Sequence, residues 1–328
     1  MTHAIRIHEA GGAEVLKWDE VKIGKPAAGQ VRLRQTACGL NYIDIYMRAG
    51  IYPLAEMPAV LGMEAAGIVE ELGEGVTELA VGDRVAYAMV VGGYAEERII
   101  DARHLIKIPG SIDDKTAATM MLKGLTAHYL LFRTYKVQPG DTILVYAASG
   151  GVGLMLCQWA KHLGATVIGC VGSQEKADLA MANGCDHIIF YRKENIAERV
   201  RELTNGEGVP VVYDAIGQQT FEASLDCLRP FGVMVTYGNI TGQVEPFSPK
   251  MLAPKGSLYV TRPTLATHVS TRELLVEGAE RLIDVMSKGI VKNNVNQTYA
   301  LKDTADAHRD MEARKTTGST VLIPKLNT

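Results

Sequence analysis

The stretch AASGGVG, residues 147–153, lies between the apolar run TILVY (142–146) and the sequence LMLCQWAKHLG (154–164). A strand that ends in glycines and continues as a helix is typical of the first βα turn of a dinucleotide-binding fold. The alternation of strand and helix continues as far as GVMVTYGN (232–239). Repeated βα units predict a doubly wound parallel sheet with helices on both faces.

The glycines of this turn have separate expected roles. Gly150 and Gly151 permit a tight turn and a close backbone approach to a pyrophosphate, and Gly153 lets the following helix pack against its strand. The helix N-terminus adds N–H groups and a positive dipole end. We therefore expect a bound dinucleotide, with its pyrophosphate at Gly150, Gly151 and Val152.

The end of the next strand, ATVIGCV, bears on which dinucleotide binds. An NAD site usually has Asp or Glu there for the ribose hydroxyls. Here uncharged residues and a lysine favour the 2′-phosphate of NADPH over NADH. The alternative is that Lys176 and Arg192 are ordinary surface charges, and Glu175 lies close by. The residues assigned to this pocket are Gly172, Ser173, Lys176 and Tyr191, with Arg192 as a further candidate.

The rest of the chain differs in pattern from these βα units. Up to about Pro109, short β-like runs are separated by glycine and proline, which indicates a partly open β-barrel. Near the C-terminus, STRELLVEGAERLIDVMSKG reads as an amphipathic helix with a capping box at Ser270 and Glu273. Its apolar stripe is expected to contain Leu274, Leu275, Leu282, Ile283 and Met286. The closing strand STVLIP suggests that the chain returns to the first domain.

Composition excludes several classes of protein. A net charge of −3 gives no excess of basic residues, which argues against a nucleic-acid partner. The five cysteines include no C-x-x-C pair, so they predict neither a zinc knuckle nor a disulfide framework. No signal-peptide pattern or long apolar run is present. We expect a cytoplasmic protein with no membrane partner.

Nine blocks in order, among them GLNYIDIYMRAGIYP, LGMEAAGIVEELGEGV, LKGLTAHYLL, AASGGVG and VVYDAIG, resemble the medium-chain dehydrogenases/reductases, specifically the quinone oxidoreductase or ζ-crystallin-like branch. The resemblance covers essentially the whole chain. It implies a GroES-like β-barrel catalytic domain into which a Rossmann domain is inserted, with a cofactor cleft between them. The expected division is 1–122 and 263–328 for the catalytic domain and 123–262 for the Rossmann domain. A homodimer is also expected, with the strand in KGSLYV pairing edge to edge.

The differences from the zinc-dependent members of this superfamily are also informative. In zinc-dependent relatives, metal ligands occupy the places of Asn41, Met63 and Lys123, and none of these three supplies a suitable ligand set. Glu64 is a single carboxylate, and the lobe that holds a second zinc is absent. We therefore predict no metal.

Without a metal to stabilise an alkoxide, simple alcohol oxidation becomes difficult. A quinone needs less help, because the negative charge of the reduced ring is delocalised. The resemblance thus implies an NADPH-dependent quinone reductase. Reduction of a conjugated enone or alkenal is the second enzyme hypothesis. A non-catalytic NADPH- or RNA-binding crystallin-like protein is the third.

The resemblance also supplies candidate site residues. Asn41, Tyr46 and Tyr52 are expected to line the place where nicotinamide and quinone meet, with the tyrosine rings stacking on the quinone. No residue stands out as a general acid, so proximity and orientation are expected to supply the catalysis. Asp214 is expected to end its strand in a polar network. The remaining expected cofactor contacts are Lys123, Thr126, Tyr129, Tyr237, Gly238, Asn239, Arg262 and Arg314.

Overall fold

The computed structural model describes residues 2–324 and divides them into two compact units. The first unit contains 2–125, Val269–Ser287 and 293–324, and the second contains Thr126–His268 and Lys288–Lys292. The insertion expected from the sequence, 123–262, starts three residues before the long segment of the second unit starts. It ends six residues before that segment ends. One helix, Asp114–Tyr129, runs through the first boundary, so no break in the helical pattern marks it.

The first unit is rich in short strands. They are β1 (Thr2–Ile7), β2 (Lys17–Val21), β3 (Gln30–Leu40), β4 (Ala59–Val60), β5 (Glu64–Leu72), β6 (Arg84–Ala88), β7 (Glu97–Asp101), β8 (Ile106–Lys107), β15 (Val295–Ala300) and β16 (Ser319–Ile323). One sheet has the order β2-β1-β4, and the other has the order β15-β16-β3-β5-β6-β8, with β7 also paired to β3. β16 pairs antiparallel with β3, so this late strand lies in the same sheet as strands from the first part of the chain.

The helices of the first unit are few. They are α1 (Tyr42–Arg48), most of α2 (Asp114–Tyr129), α8 (Arg272–Ser287) and α9 (Thr304–Glu312). The core consists of buried side chains from both ends of the chain, for example Ile5, Leu33, Leu40, Tyr87 and Leu322.

The predicted cap of α8 is wrong by one residue. The helix begins at Arg272, and the Thr271 hydroxyl, not that of Ser270, accepts the Leu274 N–H at 3.3 Å. The residue directly before the first helical residue is the one whose side chain can reach the free N–H groups of the first turn.

The apolar stripe of α8 also differs from the prediction. Leu275 and Leu282 are buried, whereas Leu274, Ile283 and Met286 are only half-buried. The buried stripe includes Gly278, Ala279 and Val285 instead, because positions three, four and seven residues apart share a face.

The second unit is a six-stranded parallel sheet. Its strands are β9 (Thr142–Tyr146), β10 (Thr166–Val171), β11 (His187–Phe190), β12 (Val209–Asp214), β13 (Leu228–Thr236) and β14 (Tyr259–Thr261). The helices of this unit are α3 (Gly151–His162), α4 (Gln174–Ala182), α5 (Ile196–Leu203), α6 (Phe221–Asp226) and α7 (Leu265–His268).

The strand order is β11-β10-β9-β12-β13-β14, and each neighbouring pair is parallel. This order reverses beside β9, as in the doubly wound dinucleotide-binding fold, so the expected fold class is confirmed. Within residues 2–324, no helix combines the length and apolar character needed to cross a membrane.

Candidate active site

The glycine turn of the second unit joins β9 to α3. Gly150 is the N-cap of α3. Because glycine has no side chain, no cap hydrogen bond is made to the first N–H groups of the helix, which face the turn. A Cβ on Gly153 would lie 2.2 Å from the Ala147 carbonyl oxygen. Only glycine therefore allows this approach of helix and strand, as the sequence predicts. The donors and the positive helix end suit an anion such as pyrophosphate.

The end of β10 carries the second predicted group. Gly172 follows the strand, and the Ser173 hydroxyl caps α4 by accepting the Lys176 N–H at 3.4 Å. A Cβ on Gly172 would lie 2.8 Å from the Tyr191 hydroxyl, so the tyrosine ring packs over this glycine. The Arg192 guanidinium lies 5.6 Å from the Tyr191 ring centre. The predicted 2′-phosphate residues thus lie together where β10 ends and α4 begins, and Glu175 lies beside them in the first turn of α4.

The predicted residues after β13 and β14 lie at the same edge of the sheet, because parallel strands share the direction of their carboxyl ends. Tyr237 donates its backbone N–H to the Asp214 backbone carbonyl at 2.9 Å, and a Cβ on Gly238 would lie 2.3 Å from the Ala215 carbonyl oxygen. Arg262 donates to the Thr236 carbonyl at 3.0 Å. Asn239 follows directly in the chain.

Asp214 itself is fully buried at the end of β12. It accepts hydrogen bonds from the Ile216 and Gly217 N–H groups and from the Thr220 and Ser224 hydroxyls. The expected polar network is therefore confirmed, and Asp214 organises the loop that follows its strand.

Thr126 and Tyr129 belong to the part of α2 that lies in the second unit, and both are buried. The Tyr129 ring stacks on His268, with 4.3 Å between ring centres and 5° between planes. Burial raises the pKa of the Tyr129 phenol above its ordinary value, so it stays a neutral hydroxyl at physiological pH.

The predicted substrate residues of the first unit lie on and after α1. Asn41 precedes the helix, Tyr46 lies within it, and Tyr52 follows. The Tyr46 and Tyr52 rings meet edge to face, with 5.5 Å between centres. Both tyrosines are half-buried. The chain turns back at this point, because the Tyr52 N–H donates to the Tyr46 carbonyl at 3.1 Å.

Lys123 and Asn41 are joined by a residue that the sequence interpretation set aside. The Lys123 ammonium donates to the Asn41 amide oxygen at 2.8 Å and to the Glu64 carboxylate at 3.2 Å. The Asn41 amide nitrogen donates to the same carboxylate oxygen at 2.9 Å. The Lys123 side chain is 6% exposed and that of Glu64 is fully buried. Glu64 follows Met63, which occupies a metal-ligand position of zinc-dependent relatives. This position was the sequence signal that could have identified Glu64 as a site residue.

A second polar cluster in the first unit was not predicted. The Asp44 carboxylate accepts the Asn41 N–H at 2.9 Å and the Tyr94 hydroxyl at 2.7 Å. Tyr94 lies 3.4 Å from His308 Nε2, and Arg48 contacts His308 Nδ1 at 3.2 Å. The members lie on α1, α9 and the loop between β6 and β7, and their wide separation in sequence hides the cluster.

Burial shifts the pKa values of two members of this cluster in opposite directions. Asp44 is fully buried, which raises the pKa of its carboxyl to about 7 even though Tyr94 and the Asn41 N–H act to lower it. Burial, and to a lesser extent the positive charge of Arg48, lower the pKa of His308 to about 3.

The last predicted contact, Arg314, lies in the first unit after α9. It is exposed, has a φ of 59°, and donates its N–H to the Met311 carbonyl at 3.0 Å. The predicted residues thus form two sets. The first unit holds Asn41, Tyr46, Tyr52, Lys123 and Arg314, and the second unit holds the others.

No three His, Cys, Asp or Glu side chains among residues 2–324 gather in a way that could hold a metal ion. The positions of the zinc ligands hold the amide of Asn41, the thioether of Met63 and the ammonium of Lys123. This ammonium already forms an ion pair with the buried Glu64 carboxylate. The absence of a metal stays a prediction.

Comparison with known proteins places the chain in a family. Residues 27–110 match the alcohol dehydrogenase GroES-like domain, and residues 151–277 match the zinc-binding dehydrogenase family. A 2-haloacrylate reductase from a Burkholderia species is 48% identical and a quinone oxidoreductase from Pseudomonas aeruginosa is 47% identical, each over 99% of this chain and 100% of the relative.

Structural comparison agrees with the sequence comparison. The crystal structure of Escherichia coli quinone oxidoreductase complexed with NADPH matches with a TM-score of 0.96 at 45% identity, covering 98% of this chain and 100% of that one. The chain therefore belongs to the quinone oxidoreductase family of the medium-chain dehydrogenases/reductases.

Proposed function

We propose that this protein is a metal-independent, NADPH-dependent quinone reductase. The observation that carries the proposal is the buried cluster of Asn41, Glu64 and Lys123, which fills the place of the metal ligands of zinc-dependent relatives. Relatives named quinone oxidoreductase, 45–47% identical over nearly the whole chain, support the same activity.

The second unit supplies residues that fit NADPH. We propose that its pyrophosphate binds at Gly150, Gly151 and Val152, where glycine leaves room for a close backbone approach. The 2′-phosphate binds beside Gly172, Ser173, Lys176 and Tyr191. Further contacts come from Thr126, Tyr129, Tyr237, Gly238, Asn239 and Arg262, and from Lys123 and Arg314 of the first unit.

When bound, NADPH supplies the hydride equivalent for the reduction. The residues of the chain bind and orient the reactants. Tyr46 and Tyr52 present aromatic surface and hydroxyls to a flat quinone ring. Asn41, its amide fixed at both ends, offers its remaining N–H to the nicotinamide ribose or to a quinone oxygen. Holding the two reactants in contact removes much of the entropic cost of their encounter.

A quinone suits a site without a Lewis acid. The charge that develops on its oxygen is shared by the ring, so less stabilisation by the protein is needed than for an alkoxide. The Lys123 charge is already neutralised by Glu64 within the cluster. The reduction therefore depends on positioning more than on one strong electrostatic group.

The experiment that tests this proposal follows the loss of NADPH absorbance with 1,4-benzoquinone as acceptor. It is repeated with NADH in place of NADPH and after treatment with EDTA. Turnover that prefers NADPH and is unaffected by the chelator supports the cofactor, the substrate class and the absence of metal together. Turnover that is lost with EDTA and restored by zinc would refute the metal-independent mechanism.

A second candidate is reduction of a conjugated carbon–carbon double bond. The 48% identical relative is named 2-haloacrylate reductase, and an enolate, like a hydroquinone anion, has a delocalised charge. The same assay with 2-chloroacrylate and 2-cyclohexenone separates the two. NADPH binding without turnover of any acceptor would instead favour a non-catalytic NADPH- or RNA-binding role.

We further propose a cytoplasmic homodimer. All five cysteines are free and buried, as suits a reducing compartment. β14 is the last strand of the parallel sheet, and Tyr259 on it is 60% exposed. Phe231, whose N–H donates to the Gly256 carbonyl just before this strand, is 70% exposed. An open strand edge with exposed aromatic side chains is suited to pairing with a second copy.

A further inference from the structure

Glu64 is the centre of the buried cluster in the first unit. It is the first residue of β5, and its two oxygens have different partners. Oε1 accepts the Leu122 N–H of α2 at 2.8 Å, and Oε2 accepts from both Asn41 and Lys123. One carboxylate thus connects β5 to α2 and to Asn41, the N-cap of α1.

The backbone around Glu64 leaves room for this carboxylate. A Cβ on Gly39 in β3 would lie 2.6 Å from Glu64 Oε2 and 2.4 Å from the Ala118 carbonyl oxygen of α2. Only a residue without a side chain permits β3, α2 and the carboxylate to meet here. The cluster is therefore built into the packing of the unit.

The consequence of this arrangement is a fixed Asn41 amide. Its oxygen accepts from the Lys123 ammonium, and its nitrogen donates to Glu64. A flipped amide would place its NH₂ group against the ammonium and its oxygen against the carboxylate, so the opposite orientation is excluded. The backbone N–H of Asn41 is held by Asp44. One amide hydrogen remains for a ligand.

We propose that Glu64 is a positioning residue for the reduction, acting through Lys123 and Asn41 on the nicotinamide half of NADPH. This inference rests on the proposed function, which assigns Asn41 and Lys123 to that half. Glu64 neutralises the buried ammonium and fixes the direction of the Asn41 amide, so that the remaining donor always points the same way. It takes no part in bond making or breaking.

The test separates positioning from stability by using two ligands. NADPH carries both halves of the cofactor, whereas adenosine 2′,5′-diphosphate carries only the adenosine half with its 2′-phosphate. Dissociation constants for both ligands, and the midpoint of thermal unfolding, are measured for the wild type, for Glu64→Gln and for Glu64→Gln with Lys123→Met. Lys176→Met is the matched control at the other half of the cofactor.

In Glu64→Gln the ammonium loses its charged partner, and the new amide group competes with the Asn41 NH₂. We expect NADPH to bind about tenfold or more weakly, since hydrogen bonds to charged groups are involved. Adenosine 2′,5′-diphosphate should bind within about twofold of wild type. Lys176→Met should weaken both ligands. The double variant removes the unpaired buried charge, so its unfolding midpoint should recover while NADPH affinity stays low.

Recovery of both the midpoint and NADPH affinity in the double variant would show a purely structural role and overturn the inference. Wild-type NADPH affinity in Glu64→Gln would do the same. A wild type that binds NADPH but turns over no quinone contradicts the proposed activity alone, because the positioning test measures binding. A wild type that binds no NADPH contradicts both.

Discussion

Asp44 and His308 make opposite contributions to the pH dependence of stability. The carboxyl of Asp44 has a raised pKa in the folded state, so the folded protein holds that proton more tightly and loses stability as pH rises from about 4 to about 7. The pKa of His308 is lowered, so its contribution to stability grows as pH rises from about 3 to about 6.5. The two slopes oppose each other over most of this range.

Replacing Asp44 isolates its own contribution to the pH dependence of stability. Asp44→Asn keeps an acceptor for Tyr94 and Asn41 but cannot ionise beside Glu64 and Lys123. Relative to wild type, the free energy of unfolding of this variant should rise between pH 4 and 7 by up to roughly 1.4 kcal/mol per pH unit. Urea unfolding at a series of pH values measures it. The exposed Asp178→Asn is the control, and a flat difference for Asp44→Asn would contradict the burial argument.

The preference for NADPH over NADH is expected to depend on Lys176. In Lys176→Met the charge proposed to face the 2′-phosphate is lost, while the Ser173 cap of α4 uses only the Lys176 backbone. We expect kcat/KM for NADPH to fall about 10- to 100-fold, because a hydrogen bond to a charged group is removed. The value for NADH should change little. Steady-state rates with both coenzymes measure this, and equal losses would place the lysine away from the 2′-phosphate.

The sequence made Asn41 and Lys123 candidate site residues, but it did not predict how they are joined. Glu64 is distant from both in the chain, and the contact depends on the packing of β3 against α2 at Gly39. The cluster around Asp44 is harder still, since His308 comes from the opposite end of the sequence. Local patterns contain no information on such pairs until the sheet order is known.

Secondary-structure elements were easier to predict, because their signals are local. The alternation of apolar runs and glycines identified the strands β9 to β13 and the helices α3 to α5, and the Gly153 packing role is visible as a close contact. The start of α8 was misplaced because Ser270 and Thr271 are both good caps. The boundary within α2 has no sequence mark at all.

The contact of α3 with β9 can be tested directly. Gly153→Ala places a methyl group 2.2 Å from the Ala147 carbonyl oxygen, so backbone must move. We expect a loss of about 1–3 kcal/mol in the free energy of unfolding and weaker NADPH binding. Gly110→Ala, where nothing lies within 4 Å of the added carbon, should be near neutral. Chemical unfolding curves measure both, and similar values for the two variants would contradict this reason for Gly153.

The whole molecule is expected to associate through β14. Tyr259→Lys adds a charge to the open edge and should shift the protein from dimer to monomer at micromolar concentration. Val81→Lys is a suitable control, because Val81 is 64% exposed and lies in the other unit. Sedimentation velocity measures the masses. A wild type that is monomeric, or a Tyr259→Lys dimer as stable as wild type, would contradict the edge-pairing proposal.

The sheet order of the first unit constrains when that unit can fold during synthesis. β3 is complete at Leu40, yet its neighbour β16 begins only at Ser319. The second unit draws its six strands from one continuous segment and can form as soon as that segment leaves the ribosome. The amino-terminal strands must wait with an unpaired edge until β16 has been synthesised. Truncating the last strand should therefore leave the nucleotide-binding unit folded and the first unit prone to aggregation.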